Sequence, residues 1–199
     1  MPAVSQNLQL TAEAYLRQEL TSKVKHELID GYAYAMAGVS ENHARISGNI
    51  YRKFGNYLEN SPCEPFVSDM KLKTPTGNFY YPDVMVVCED DKENVYYKNK
   101  PTIIVEVLSR STRRIDETLK LMSYINIPSL QEYLIIEQDC VDIEVFRQSN
   151  DWRSSHYFLG DEVTFESIGL TLSVAEIYHR VENEDMLEFL NHNQLLAQT

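Results

Sequence analysis

Apolar and polar positions along this chain switch between helical and strand spacing, and the switches mark its elements. Thr11 can cap a short helix running to about Gln18 or Leu20. The segment HELIDGYAYAM sets two short runs around Asp30-Gly31, a dipeptide suited to a tight turn with positive φ, and predicts a β-hairpin. Ser40 can cap a helix over 41–59, in which Ile46, Ile50, Phe54, Tyr57 and Leu58 recur at helical spacing and predict the buried stripe.

Three strands are predicted next, near 65–73, 79–88 and 102–108, separated by glycine, proline or charged residues. The third, PTIIVEVLS, is almost continuously apolar, as befits a central strand covered on both faces, and this makes the charged Glu106 conspicuous. Ser111 can cap a helix over about 113–126, with Ile115, Leu119, Met122 and Ile125 facing inward and Pro128 ending it. The strand EYLIIE follows, then a β-rich stretch over 140–172 with a meander around Asn150-Asp151. Two short helices, near 173–180 and 183–196, finish the chain.

A length of 199 residues suits one domain with a terminal extension, and 43% hydrophobic with 11% aromatic residues is a globular composition. The opening MPAVSQNLQL does not read as a leader, and no apolar run approaches the ~20 residues that span a bilayer, so a soluble cytoplasmic protein without a membrane is expected. Cys63, Cys88 and Cys140 fit neither a disulfide framework nor zinc-ligand spacing, and reduced thiols are expected, with Cys88 in the core. The net charge of −12 opposes nucleic-acid binding, yet it is unevenly placed. Residues 1–130 carry 16 acidic and 15 basic side chains, against 14 and 3 in residues 131–199. The first two-thirds can therefore still present a local basic surface.

The candidate chemistry lies on those central elements. Pro82 lacks an N–H and suits a strand start, edge or bulge, and Asp83 follows it. Alternation puts Ile104, Glu106 and Leu108 on one face of their strand, so Asp83 and Glu106 converge if the two strands pair. Two carboxylates suit Mg²⁺ or Mn²⁺ better than zinc. Lys120 and Tyr124 lie one turn apart on the following helix, with Asp116 and Glu117 nearby. A lysine there could orient water and stabilise charge developing on a phosphoryl group. Arg110, Arg113 and Arg114, with the helix N-terminus, could hold a phosphate backbone. Blander readings stand beside these: Asp83 as a turn cap, Lys120 as an ordinary i,i+4 partner of Asp116, and Glu106 held by an arginine such as Arg113. His43, near a helix start, reads as structural or partner-facing, and Ser109 and Ser111 lack a hydrolase nucleophile's setting.

Tyr81-Pro82-Asp83, PTIIVEVLS over 101–109, Ser111-Thr112-Arg113, Asp116, Lys120, Tyr124 and EYLIIE together resemble the Uma-two group within the restriction-endonuclease-like PD-(D/E)XK superfamily. HELIDG and Ser40 to His43 extend the likeness over about residues 11–180. The resemblance implies an α/β (α+β) fold with an αβββαβ core and a mixed central sheet, here carrying an N-terminal hairpin and a C-terminal β-meander plus helices. It implies Asp83 and Glu106 as metal ligands, with the Val107 carbonyl a further one. The superfamily's typical lysine would stand where this chain has Leu108. Lys120 resembles the migrated lysine of the group, and its pairing with Tyr124 resembles the Gln-x-x-x-Tyr signature of related nucleases. Glu27, in HELIDG, is a further site candidate, and Glu137 stands where the group more often has aspartate.

The expected function is Mg²⁺- or Mn²⁺-dependent hydrolysis of phosphodiester bonds in nucleic acid, with DNA the favoured substrate. A nuclease-fold binding protein without turnover is the alternative, and hydrolysis of another phosphate ester a third reading. The expected organisation is an arm over 1–10, a domain over 11–180 and a C-terminal helix over 181–199. In that helix Met186, Leu187, Phe189 and Leu190 could pack on a second copy, giving a homodimer, or on the chain's own core.

Overall fold

The computed structural model describes residues 9–89, 94–108 and 119–196. The N-terminal arm up to residue 8, the three arginines 110, 113 and 114, and Ser109, Ser111, Ile115, Asp116 and Glu117 lie outside the described residues.

Helix α1 (Ala12–Glu19) begins where expected, with the Thr11 hydroxyl accepting the Ala14 N–H at 3.2 Å. Strands β1 (His26–Ile29) and β2 (Tyr32–Ala35) form the hairpin, and Asp30 and Gly31 both have positive φ, 51° and 85°. In α2 (Glu41–Leu58), Ser40 is the cap and Ile46, Ile50, Phe54 and Leu58 are buried. Tyr57 departs from the predicted stripe: it is half exposed, and its hydroxyl donates to the Gly169 carbonyl.

The predicted strands at 65–73 and 79–88 each divide in two. The first becomes β3 (Glu64–Val67) and β4 (Lys71–Lys73), broken at Ser68 with φ 45°. The second becomes β5 (Phe79–Tyr80) and β6 (Val84–Val87), broken around Pro82, which cannot donate to a ladder. After these come β7 (Tyr97–Lys98), unforeseen in the sequence, and β8 (Ile103–Leu108), every residue of which is buried. Helix α3 (Leu121–Tyr124) leads to β9 (Glu132–Glu137), β10 (Ile143–Arg147), β11 (Ser154–Tyr157), β12 (Glu162–Phe165) and β13 (Leu170–Ser173). Short α4 (Val174–Ile177) and α5 (Glu184–Leu196) complete the described chain.

The architecture is mixed α/β. A six-stranded sheet runs β11-β10-β9-β8-β6-β3, with β8 and β9 parallel and the other pairs antiparallel. A five-stranded sheet runs β2-β1-β5-β4-β7, and β12 with β13 forms a separate hairpin. Along the larger sheet the order is α2, β3, β6, β8, α3, β9, which is helix, three strands, helix, strand. On one face, Val105 and Val107 of β8 pack with Ile46, Ile50 and Phe54 of α2. On the other, Ile104 and Leu108 pack with Tyr124, Leu72 and Tyr80. The even-numbered residues of β8 thus face the smaller sheet and α3.

Two expectations fail outright. Cys63 and Cys88 are joined in a disulfide, so they are not reduced thiols, and Cys140 is free and exposed. Glu64 pairs with Val87, and one further step outward sets the two cysteines side by side. Leu119 and Met122, predicted to face inward, are exposed, while Lys120 and Tyr124 are buried. In α5, Met186 joins the core below α2, whereas Leu187 and Leu190 face outward. No helix among the described residues is long and apolar enough to cross a membrane.

Candidate active site

The register of β6 and β8 decides where Asp83 and Glu106 stand along the sheet. Val84 pairs with Val105, and continuing that antiparallel register by one residue sets Asp83 across from Glu106. Asp83 Oδ2 accepts the Val107 N–H at 2.8 Å, which ties the loop after Pro82 to the central strand. Its Oδ1 lies 2.8 Å from His43 Nε2 at the start of α2. The Asp83 backbone carbonyl accepts the Ser68 N–H at 3.2 Å.

Glu106 is 3% exposed, and a carboxylate so placed needs partners. Its Oε1 accepts hydrogen bonds from Tyr124 Oη at 2.8 Å and Lys120 Nζ at 3.2 Å. Lys120 Nζ also lies 3.0 Å from Glu27 Oε1, so one ammonium stands between two carboxylates. Glu27 in turn accepts the Tyr81 N–H at 3.3 Å, and the Tyr81 hydroxyl donates to Glu19 at 2.9 Å. Burial, then the nearby Glu106 charge, push the Tyr124 phenol well above its ordinary range, so it keeps its proton and acts as a donor. Its ring meets Tyr80 and Tyr133 edge-on, 5.3 Å between centroids in each case.

Of the residues singled out in the sequence, Glu27, Glu106, Lys120 and Tyr124 are thus in direct contact, and Asp83 is bonded to the strand that carries Glu106. Val107 contributes its N–H to Asp83. Leu108, where the sequence resemblance would lead one to expect a lysine, is 2% exposed and packed among apolar side chains. The arginines that would hold phosphate lie outside the described residues.

Two residues near the site were not foreseen. His43 reads from sequence as structural or partner-facing, and its link to a carboxylate is hidden because Asp83 lies forty residues on. Gln138 donates to the Leu108 carbonyl at 2.7 Å and accepts a hydrogen bond from Ser40, the cap of α2. Another buried carboxylate, Glu132, is structural: it accepts from Arg147 and from the Glu166 and Ser167 backbone N–H groups, anchoring the turn between β12 and β13. An open cleft of about 830 Å³ between α5 and the turn after β9, lined by Cys140, Asp142, Phe158, Asp185, Phe189 and His192 among others, includes none of the predicted site residues.

Comparison with known proteins gives three findings. Residues 12–175 match the Uma2 family model, described as "Putative restriction endonuclease". Two uncharacterized proteins of Synechocystis sp. are similar. One is 37% identical over 173 residues, covering 85% of this chain and 91% of the relative. The other is 38% identical over 146 residues, covering 71% and 82%. Among solved structures, a "putative nuclease belonging to DUF820" from Anabaena variabilis matches with a TM-score of 0.71 at 16% identity, over 85% of this chain and 97% of that one. At that identity the structural likeness speaks for the fold.

Proposed function

The chain belongs to the Uma2 family, and from that premise we propose that it is a divalent-metal-dependent endonuclease of restriction-endonuclease-like fold, hydrolysing phosphodiester bonds in DNA. The observation that carries the reading is the β6–β8 register, which sets Asp83 across from Glu106 while Lys120 and Tyr124 bond to Glu106.

Asp83 and Glu106 would hold Mg²⁺ or Mn²⁺. The donor set fits: both are hard oxygen ligands, and each Asp83 oxygen, having accepted one hydrogen bond, keeps a further lone pair. Among the described residues no group of three or more His, Cys, Asp and Glu side chains is placed to hold a metal ion. Backbone oxygen, such as the Val107 carbonyl, and water would therefore complete the shell, and Mg²⁺ usually keeps several waters. A bound cation would supply Lewis-acid polarisation of the phosphoryl group and lower the pKa of water. Lys120 carries the fixed positive charge that would meet charge developing on the phosphoryl oxygens. Tyr124 orients Glu106, and Glu27 holds the ammonium from its other side.

The test is plasmid nicking with Mg²⁺, Mn²⁺ or EDTA. Asp83→Ala, Glu106→Ala and Lys120→Ala should each lose about a hundredfold or more of the activity, the scale of a lost electrostatic contact in a catalytic site. Equal activity in wild type and all three variants would remove the assignment. A second reading, a binding protein that keeps the fold without turnover, is favoured by the buried Leu108 and by the net charge of −12. DNA gel shifts in the presence of Mn²⁺, without cleavage of any nucleic acid, would support that reading instead.

A further inference from the structure

We propose that His43 is a positioning residue: its Nε2–H holds the Asp83 carboxylate in place, and His43 is not itself a ligand of the cation. The inference deepens the metal-site reading above, although its central claim concerns the metal-free protein.

His43 is the third residue of α2 and is 6% exposed. Its backbone is fixed from two sides: its N–H donates to Ser40 Oγ at 3.1 Å, and its carbonyl accepts the Ser47 hydroxyl at 2.9 Å. The ring therefore leaves a rigid helical turn and reaches Asp83 Oδ1 with Nε2 at 2.8 Å. A hydrogen must lie between those atoms for the contact to be favourable. With Val107 N–H on Oδ2, donors from two separate elements then hold the carboxylate by both oxygens.

The second ring nitrogen decides between positioning and ligation. Nδ1 is buried and has no hydrogen-bond partner among the described residues. A histidine that binds metal through Nε2 carries its hydrogen on Nδ1 and almost always donates it to a carboxylate, a backbone carbonyl or water. Here that hydrogen would be an orphaned buried donor, left without the partner it gives up in water. The hydrogen on Nε2 leaves Nδ1 as a bare acceptor with no proton to place, and it is the tautomer that the Asp83 contact itself requires.

The rest of the α2 start fits this role. Ser40 donates to Gln138 Oε1, and Gln138 Nε2 donates to the Leu108 carbonyl at the end of β8. The turn that carries His43 is thereby pinned to the strand that carries Glu106, so the clamp sets Asp83 relative to Glu106.

A long-range ¹H–¹⁵N NMR spectrum of the whole chain reads the tautomer directly. We expect the Nε2–H pattern for His43 without metal and after addition of Mg²⁺. An Nδ1–H pattern in the metal-free protein, or a change to it on adding Mg²⁺, overturns the proposal. Variants give an independent readout in Mn²⁺ affinity by calorimetry. His43→Gln keeps a donor near the Nε2 position and should bind within about threefold of wild type, whereas His43→Ala should lose about tenfold to a hundredfold, as outer-shell changes do. Recovery by His43→Glu but not by His43→Gln would make the residue a ligand and overturn the positioning role. If the wild-type protein binds no Mn²⁺, the metal-site reading fails, while the metal-free tautomer still decides whether His43 clamps Asp83.

Discussion

At the scale of single residues, the site is a matter of charge balance around Lys120. Its side chain is 6% exposed, that of Glu106 4% and that of Glu27 12%, so among the described residues one ammonium is buried with two carboxylates. Removing the cation of such a group leaves like charges facing each other without solvent, which costs about 3–5 kcal/mol. Lys120→Met should therefore lower stability in EDTA by an amount of that order, and Mg²⁺ should restore part of it by supplying positive charge nearby. Tyr124→Phe keeps the packing against Tyr80 and Tyr133 and loses one hydrogen bond to a charged acceptor, about 1.5–3 kcal/mol. Urea denaturation with EDTA and with Mg²⁺ checks both. If Tyr124→Phe proved the more damaging, or Mg²⁺ had no effect on Lys120→Met, the ammonium would not be the centre of this balance.

At the scale of elements, the Cys63–Cys88 disulfide joins the ends of β3 and β6, the latter beginning just after Asp83. Closing a loop with a separation of 25 residues contributes about 3.5 kcal/mol in the chain-entropy view. The Cys63→Ser/Cys88→Ser double variant should unfold at a correspondingly lower urea midpoint, and adding dithiothreitol should lower the wild-type midpoint but not that of the variant. Helix α2 is held by a second device. Lys53 first, then the Ser173 N–H, lower the Glu176 carboxyl from 4.5 to about 2. Because the folded value lies below the unfolded one, this contribution is complete above about pH 4.5 and is lost as pH falls from there through about 2. Glu176→Gln should flatten the acid-unfolding curve in that window, and salt should weaken the effect because Glu176 is partly exposed. These elements also show what was legible in advance. Local caps and periodicity marked α1, the β1–β2 hairpin, α2 and β8 because each signal lies within one element. Strand membership did not follow, since alternation is the same whichever sheet a strand joins, and Ser68 and Pro82 are where the chain changes sheets. The apolar spacing of Leu119 and Met122 chose the wrong face of residues 119–124, because the inward face is the one that supplies polar partners to Glu106. The disulfide was hidden for a related reason: two cysteines become neighbours only once β3 and β6 are paired.

At the scale of the whole molecule, the difficulty for the proposed action on DNA is charge. Residues 131–199 hold 14 acidic side chains against 3 basic ones, and a polyanionic substrate of the kind proposed would have to approach a chain of net charge −12. Lysines in or beside the smaller sheet lie over aromatic rings: Lys25 and Lys71 over Tyr81, and Lys73 over Tyr97. Lys25 is also paired with Asp69, and Tyr81 is bonded to Glu19, so this region is of mixed sign. Phosphate attraction by protein side chains is thus partly cancelled close to the site, and the carboxylates at Asp83, Glu106 and Glu27 add to the repulsion. A divalent cation shared with the phosphate would reverse the local sign. Duplex binding should accordingly depend on the cation itself and not only on the protein. Fluorescence anisotropy of a labelled duplex with Ca²⁺ should show binding that EDTA abolishes. Asp83→Asn should weaken the Ca²⁺-dependent binding about tenfold or more, because in the proposed site the carboxylate, not the fold, would hold the ion. Equal binding in Ca²⁺ and EDTA would mean that the protein's own basic groups outweigh its acidic ones at the DNA interface, and the metal would then serve only the chemical step.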